Sequence, residues 1–205
     1  MKKLLVVLGL LVLVPGMAFA QSYYVDYYAN NFGAATVYDQ IVRIINVGTL
    51  GTPLTTPVGD ICANIYVFDA NQEMQSCCAE RLTPNELDSA FVGTQLTGFN
   101  PFTGFPATLT GLAPASGVVK IVLTPPPTGG CDPRTAFTGP DSGLGAVWGT
   151  HVNTTGGFVY LTETEKLARG LGKDEAAFLP NTCSFVWYLG SGRGHCYSLV
   201  STGQH

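Results

Sequence analysis

Six cysteines and three histidines are the side chains of this chain best suited to covalent, metal or proton chemistry. The cysteines are Cys62, Cys77, Cys78, Cys131, Cys183 and Cys196. Zinc sites use C-x-x-C pairs with companion histidines. Here the only close pair is Cys77-Cys78, with no histidine beside it, so no metal set is expected. An even count behind an export signal reads instead as a disulfide framework. Neighbouring residues of a strand point to opposite faces, so Cys77 and Cys78 should take different partners. The favoured reading pairs Cys183 with Cys196 across one turn. It pairs Cys62 with Cys77 or Cys78 and leaves Cys131 for the other.

A catalytic site needs a nucleophile or base beside groups that tune it. His151 falls in an expected strand beside Asn153, His195 adjoins Cys196, and His205 is the last residue. No Gly-x-Ser-x-Gly elbow anchors a hydrolytic triad, so no catalytic residue and no cofactor is expected. Asp69-x-Asn71-x-Glu73 resembles the start of a calcium loop, but Met74 stands where the sharp turn needs glycine. Turn residues explain it better. Gly190-Ser-Gly-Arg-Gly194 lacks the lysine of a phosphate loop and also reads as a turn. Leu179-Pro-Asn-Thr-Cys183 departs from a wall-sorting signal at its cysteine. Asn153-Thr-Thr is a glycosylation acceptor only in a cell with that machinery.

Aromatic chemistry concentrates in Ser22-Tyr-Tyr-Val-Asp-Tyr-Tyr-Ala29. Tyr23, Tyr24, Tyr27 and Tyr28 form a candidate contact strip, by stacking or by strand addition. The plainer alternative is a first strand whose tyrosines bridge core and water. Just upstream, Lys2-Lys3, the apolar run Leu4–Val14 and Ala18-Phe-Ala20 read as a signal peptide over 1–20. The run is shorter than the roughly 20 residues a spanning helix needs. One exported domain over 21–205 is expected, secreted or periplasmic, with no membrane insertion after signal removal. Without the signal, eight basic side chains face fourteen acidic ones, a net of about −6, which argues against nucleic-acid partners.

The elements that must position these residues read as mostly β: a disulfide-stapled β-sandwich with a short C-terminal helical segment. Ile61–Phe68 is β-branched and aromatic, Asp69-Ala-Asn-Gln turns, and Glu73–Cys78 returns, bringing the paired cysteines towards Cys62. Ala35–Val47 and Ser116–Thr124 read as strands, and Val147–Val152 with Phe158–Leu161 as a hairpin. Pro84 could start a helical turn, whereas 91–112 shows no helical period. Thr162-Glu-Thr-Glu165 fits a capping box for a helix ending at Gly170. Asp174–Leu179 begins a second helix that Pro180 should kink or end. Residues 183–189 fit either strand or helix end.

Two motifs together, C-A-x-I-Y-V-F-D-x-x-Q-x-x-x-x-C-C at 62–78 and Cys183-Ser-Phe-Val-Trp-Tyr-Leu-Gly-Ser-Gly-Arg-Gly-His-Cys196, resemble a group of uncharacterised exported bacterial proteins. The similarity covers most of the chain after the signal. That pattern carries further cysteines where this chain has Ala79 and Tyr197-Ser198, so one bridge of the group is missing here. The resemblance implies export, oxidation and a shared fold, and no activity. The expected role is a non-enzymatic structural or adhesive protein, self-associating or bound to a surface glycan. A soluble ligand- or carbohydrate-binding module using Trp148 or Trp187 is the alternative, with a hydrolase third.

Overall fold

The chain has its strongest strand in Ile61–Asp69, where eight successive residues are buried. A strand covered on both faces loses the polar alternation of a surface strand. The computed structural model describes residues 22–29, 39–50, 59–97, 99–100, 105–106, 116–137, 143–155, 158–188 and 195–196. Its strands are β1 (Ser22–Ala29), β2 (Ile41–Asn46), β3 (Ile61–Asp69), β4 (Met74–Leu82), β5 (Leu87–Phe91), β6 (Phe99–Asn100) and β7 (Phe105–Pro106). They continue with β8 (Ser116–Thr124), β9 (Gly145–Thr155), β10 (Phe158–Lys166) and β11 (Arg169–Gly170), before the helix α1 (Lys173–Tyr188). The segment 1–20 expected to be a signal peptide, the expected turn over 190–194 and His205 lie outside the described residues.

A five-stranded sheet runs in the order β11-β1-β8-β3-β4, and a four-stranded sheet in the order β10-β9-β2-β5; β6 and β7 pair separately. All these pairings are antiparallel. Ile61, Ala63, Ile65 and Val67 of β3 meet Val42 and Ile44 of β2 and Val147 of β9 in one core between the sheets. The opposite face of β3 carries Tyr66 and Phe68 into a second cluster with Leu179 and Cys183 of α1. The expected mostly-β sandwich with a C-terminal helix is therefore the fold, and α1 caps the outside of the larger sheet.

The hairpin over 61–82 forms, but no disulfide staples it. In its register Cys62 faces Arg81, while Tyr66 faces Cys77 and Ile65 faces Cys78. The return strand continues past the cysteines, placing them several residue pairs from Cys62. The bonds are Cys62–Cys131, Cys77–Cys183 and Cys78–Cys196, which corrects the pairing expected from spacing. Opposite-facing side chains do give Cys77 and Cys78 different partners. Cys77 lies in the helix-side cluster, and Cys78 packs against the inter-sheet core. Cys183 sits on a helix directed at the sheet, so a local bond to Cys196 does not form.

Other element expectations also change. Thr162–Glu165 is not a helix start, because β10 pairs with β9 without a break from Phe158↔Thr155 to Lys166↔Val147. Nine cross-strand pairs outweigh one cap. Pro84 lies in a turn rather than a helix, where the Glu86 carboxylate accepts from the Thr83 backbone N–H and hydroxyl. The strand expected over 35–47 is β2, six residues long, with 35–38 outside the described part. Within 91–112, Val92–Leu96 forms a π-helical turn. α1 runs through Pro180 to Tyr188, which places Cys183 in helix. Among the described residues, no helix is long and apolar enough to cross a membrane.

Candidate functional site

The tyrosine strip divides by strand alternation. Tyr24 and Tyr28 are buried between the sheets, Tyr23 packs on the helix side, and Tyr27 is 61% exposed. The Tyr24 hydroxyl donates to the Gly145 carbonyl of the other sheet at 2.6 Å. The Tyr28 hydroxyl donates to the Phe68 carbonyl at 3.1 Å, crossing Gly117. A Cβ at Gly117 would stand 1.9 Å from that same carbonyl, so only glycine fits. Of the four tyrosines, Tyr27 alone is strongly exposed.

Between Tyr24 and Tyr28, on the same inward face, stands Asp26, with its side chain 1% exposed. Lys166 of β10 places Nζ 2.7 Å from Asp26 Oδ1, and His151 of β9 places Nε2 3.5 Å from the same oxygen. Gln40 Nε2 donates to Oδ2 at 3.0 Å and to the Tyr27 carbonyl at 2.6 Å. Oδ1 nevertheless accepts no directed hydrogen bond. Gly149 makes room for the group, since a Cβ there would meet Asp26 Oδ2 at 1.9 Å and Lys166 Cε at 2.9 Å. His151 stacks on Tyr27 at 4.6 Å, and burial lowers its pKa against the opposing pull of Asp26. No sequence motif marked this Asp–Lys–His cluster.

His195 and Trp187 meet elsewhere. Their rings stack at 3.9 Å, and the Arg134 guanidinium lies 4.4 Å from the Trp187 ring centre. Trp187 Nε1 also donates to the Cys77 carbonyl at 3.3 Å. Asp132 grips Arg134 with both oxygens, and this holds its carboxyl below the usual range. Burial, then Arg134, lowers the His195 pKa. These contacts bind the Cys131 loop, α1 and the segment at Cys196 to one another. They also occupy the Trp187 ring, which the carbohydrate alternative would have used.

The Asp69 turn is structural: its Oδ1 accepts from the Asn71 and Glu73 N–H groups at 2.9 Å, and its Oδ2 from Gln75. Among the described residues no group of three or more metal-ligating side chains forms a metal site. Glu80 of β4 and Asp88 of β5 lie at the opposite edge of the sandwich from β1 and β10. Burial, then the charges of Asp88 and Glu86, pushes Glu80 up to about 8, and burial raises Asp88 as well.

The remaining distinctive surface is β10. It ends the four-stranded sheet, and among the described residues no strand pairs with its outer side. Phe158 is 78%, Leu161 61% and Tyr160 49% exposed, and Thr162–Glu165 are exposed as well. Compared with known protein families, curated proteins and solved structures, the chain gives no significant match.

Proposed function

We propose that this chain is an exported, non-catalytic protein with a structural or adhesive role, and that it self-associates through the outer edge of β10. The carrying observation is that nine-residue strand at the end of a sheet, with Phe158, Tyr160 and Leu161 exposed beside the exposed polar run Thr162–Glu165. Such an edge offers unpaired backbone groups and side-chain area for strand addition. A second copy is the partner of choice by charge. Antiparallel pairing centred on Thr162 sets Glu163 opposite Leu161 and Glu165 opposite Val159, so no like charges face each other. Three disulfides, closing 69 to 118 residues of chain, suit a protein that works in an oxidising compartment. The export signal over 1–20 supports the same compartment.

Amide hydrogen exchange across a concentration series tests the reading. Protection of 158–166 that grows with concentration supports it, and protection independent of concentration contradicts it. A glycan-binding module is the second reading, favoured by one row on the outer face of the four-stranded sheet. There Arg43, Trp148 and Glu165 stand side by side in register. Trp148→Ala should then abolish any glycan-induced fluorescence quenching.

A further inference from the structure

The Asp26–Lys166 contact has features that an ordinary ion pair does not need. The Asp26 side chain is buried, 1% exposed, and that of Lys166 is 13% exposed, and they come from opposite sheets of the sandwich. Nζ stands 2.7 Å from Oδ1, close enough for contact but without the geometry of a directed hydrogen bond. Gln40 donates to the other oxygen and polarises the carboxyl. His151 places Nε2 3.5 Å from Oδ1 of the same carboxyl. Gly149, lacking a Cβ, leaves space for carboxyl and amine to close together.

We infer that Asp26 and Lys166 condense into an intramolecular amide that covalently joins β1 to β10. The step opens with transfer of one proton from Nζ to the carboxyl across their 2.7 Å contact, which leaves an amine beside a carboxylic acid. The nitrogen lone pair attacks Cγ, forming the C–N bond and a tetrahedral centre. Gln40 steadies the oxygen that gains charge there. His151 Nε2 takes a proton from the nitrogen and delivers it to the departing hydroxyl. The C–O bond breaks and one water leaves. The step consumes no oxidant or co-reactant, and its two reactants are held in near contact by the fold. The product replaces a buried ion pair by a neutral amide sealed from hydrolysis. This inference does not depend on the self-association of β10, and it would suit any exported protein exposed to mechanical or proteolytic stress.

The test is mass spectrometry of the mature protein, exported, purified, fully reduced and digested with trypsin. The expected product is a branched peptide joining 21–43 to 135–169, one water lighter than its two parts, with no cleavage after Lys166. Lys166→Arg keeps the charge and removes the nucleophile, so its chain should be heavier than the wild type by one water beyond the side-chain difference. Cyclisation of Gln21, which loses ammonia, would occur in both chains and cancels. His151→Ala should accumulate the branched peptide about a hundredfold more slowly. Unbranched 21–43 and normal cleavage after Lys166 in folded wild-type protein would overturn the inference. An unchanged rate in His151→Ala would overturn the role given to His151.

Discussion

Replacing Glu80 by glutamine should stabilise the protein at pH 8 and change little at pH 5. Glu80 sits at the inter-sheet edge with Asp88 and Glu86 nearby, and burial with those charges lifts its pKa from 4.5 to about 8. The native state therefore holds a proton that the unfolded chain releases between these values, so stability falls as pH rises through the window. At about 1.4 kcal/mol per tenfold change in proton affinity, the upper bound is about 5 kcal/mol. A carboxyl still partly reached by solvent realises only part of that, about 2 kcal/mol. Glutamine mimics the protonated form at every pH, so its advantage should appear only above the unfolded pKa. In a domain of this size that gain corresponds to about 4–8 °C in Tm. The assay is thermal unfolding of oxidised wild type, Glu80→Gln and Glu86→Gln at pH 5, 6, 7 and 8. Asp88, raised by burial, should leave a smaller residual slope of the same sign. A wild-type Tm that is flat or rises over this range, with no gain in Glu80→Gln, would refute the reasoning.

Peptide mapping without reduction should recover Cys62–Cys131, Cys77–Cys183 and Cys78–Cys196, and a Cys183–Cys196 peptide would contradict the docking of α1 on β4. The double variant Cys77→Ala with Cys183→Ala opens a closure of 106 residues and should lose about 4–5 kcal/mol in denaturant unfolding. Gly149→Ala drives a methyl into the Asp26 carboxyl and should cost about 1–3 kcal/mol, whereas Gly172→Ala, with open space around it, should be nearly neutral in the same assay.

Legibility in the sequence followed the range of the interactions. β8 coincides with the apolar run expected at Ser116–Thr124, and the Asp69 turn uses the chemistry that its residues suggested. Both are decided locally. Thr162–Glu165 misled because a capping box and an edge strand with exposed polar residues share one pattern, and only the pairing with β9 separates them. Disulfide pairing failed for the same reason: it depends on where α1 docks, a contact between residues 106 apart. The Asp26 cluster did carry a signal. Alternation places Asp26 on the face of Tyr24 and Tyr28, and a lone carboxylate between two inward aromatics calls for buried partners. Those partners, Lys166 and His151, come from β9 and β10, which no local motif joins to β1.

The most direct test of the proposed role is sedimentation velocity of the mature, oxidised protein over a wide concentration range, beside a Tyr160→Lys/Leu161→Lys double variant. Both side chains are exposed, so the substitutions should leave the fold and its Tm within the small changes typical of surface sites. Lysine on an edge strand opposes pairing with another chain. The account predicts dimers or larger assemblies for the wild type and a monomer for the variant at equal concentration. A wild type that stays monomeric throughout, or a variant that assembles equally well, would contradict it.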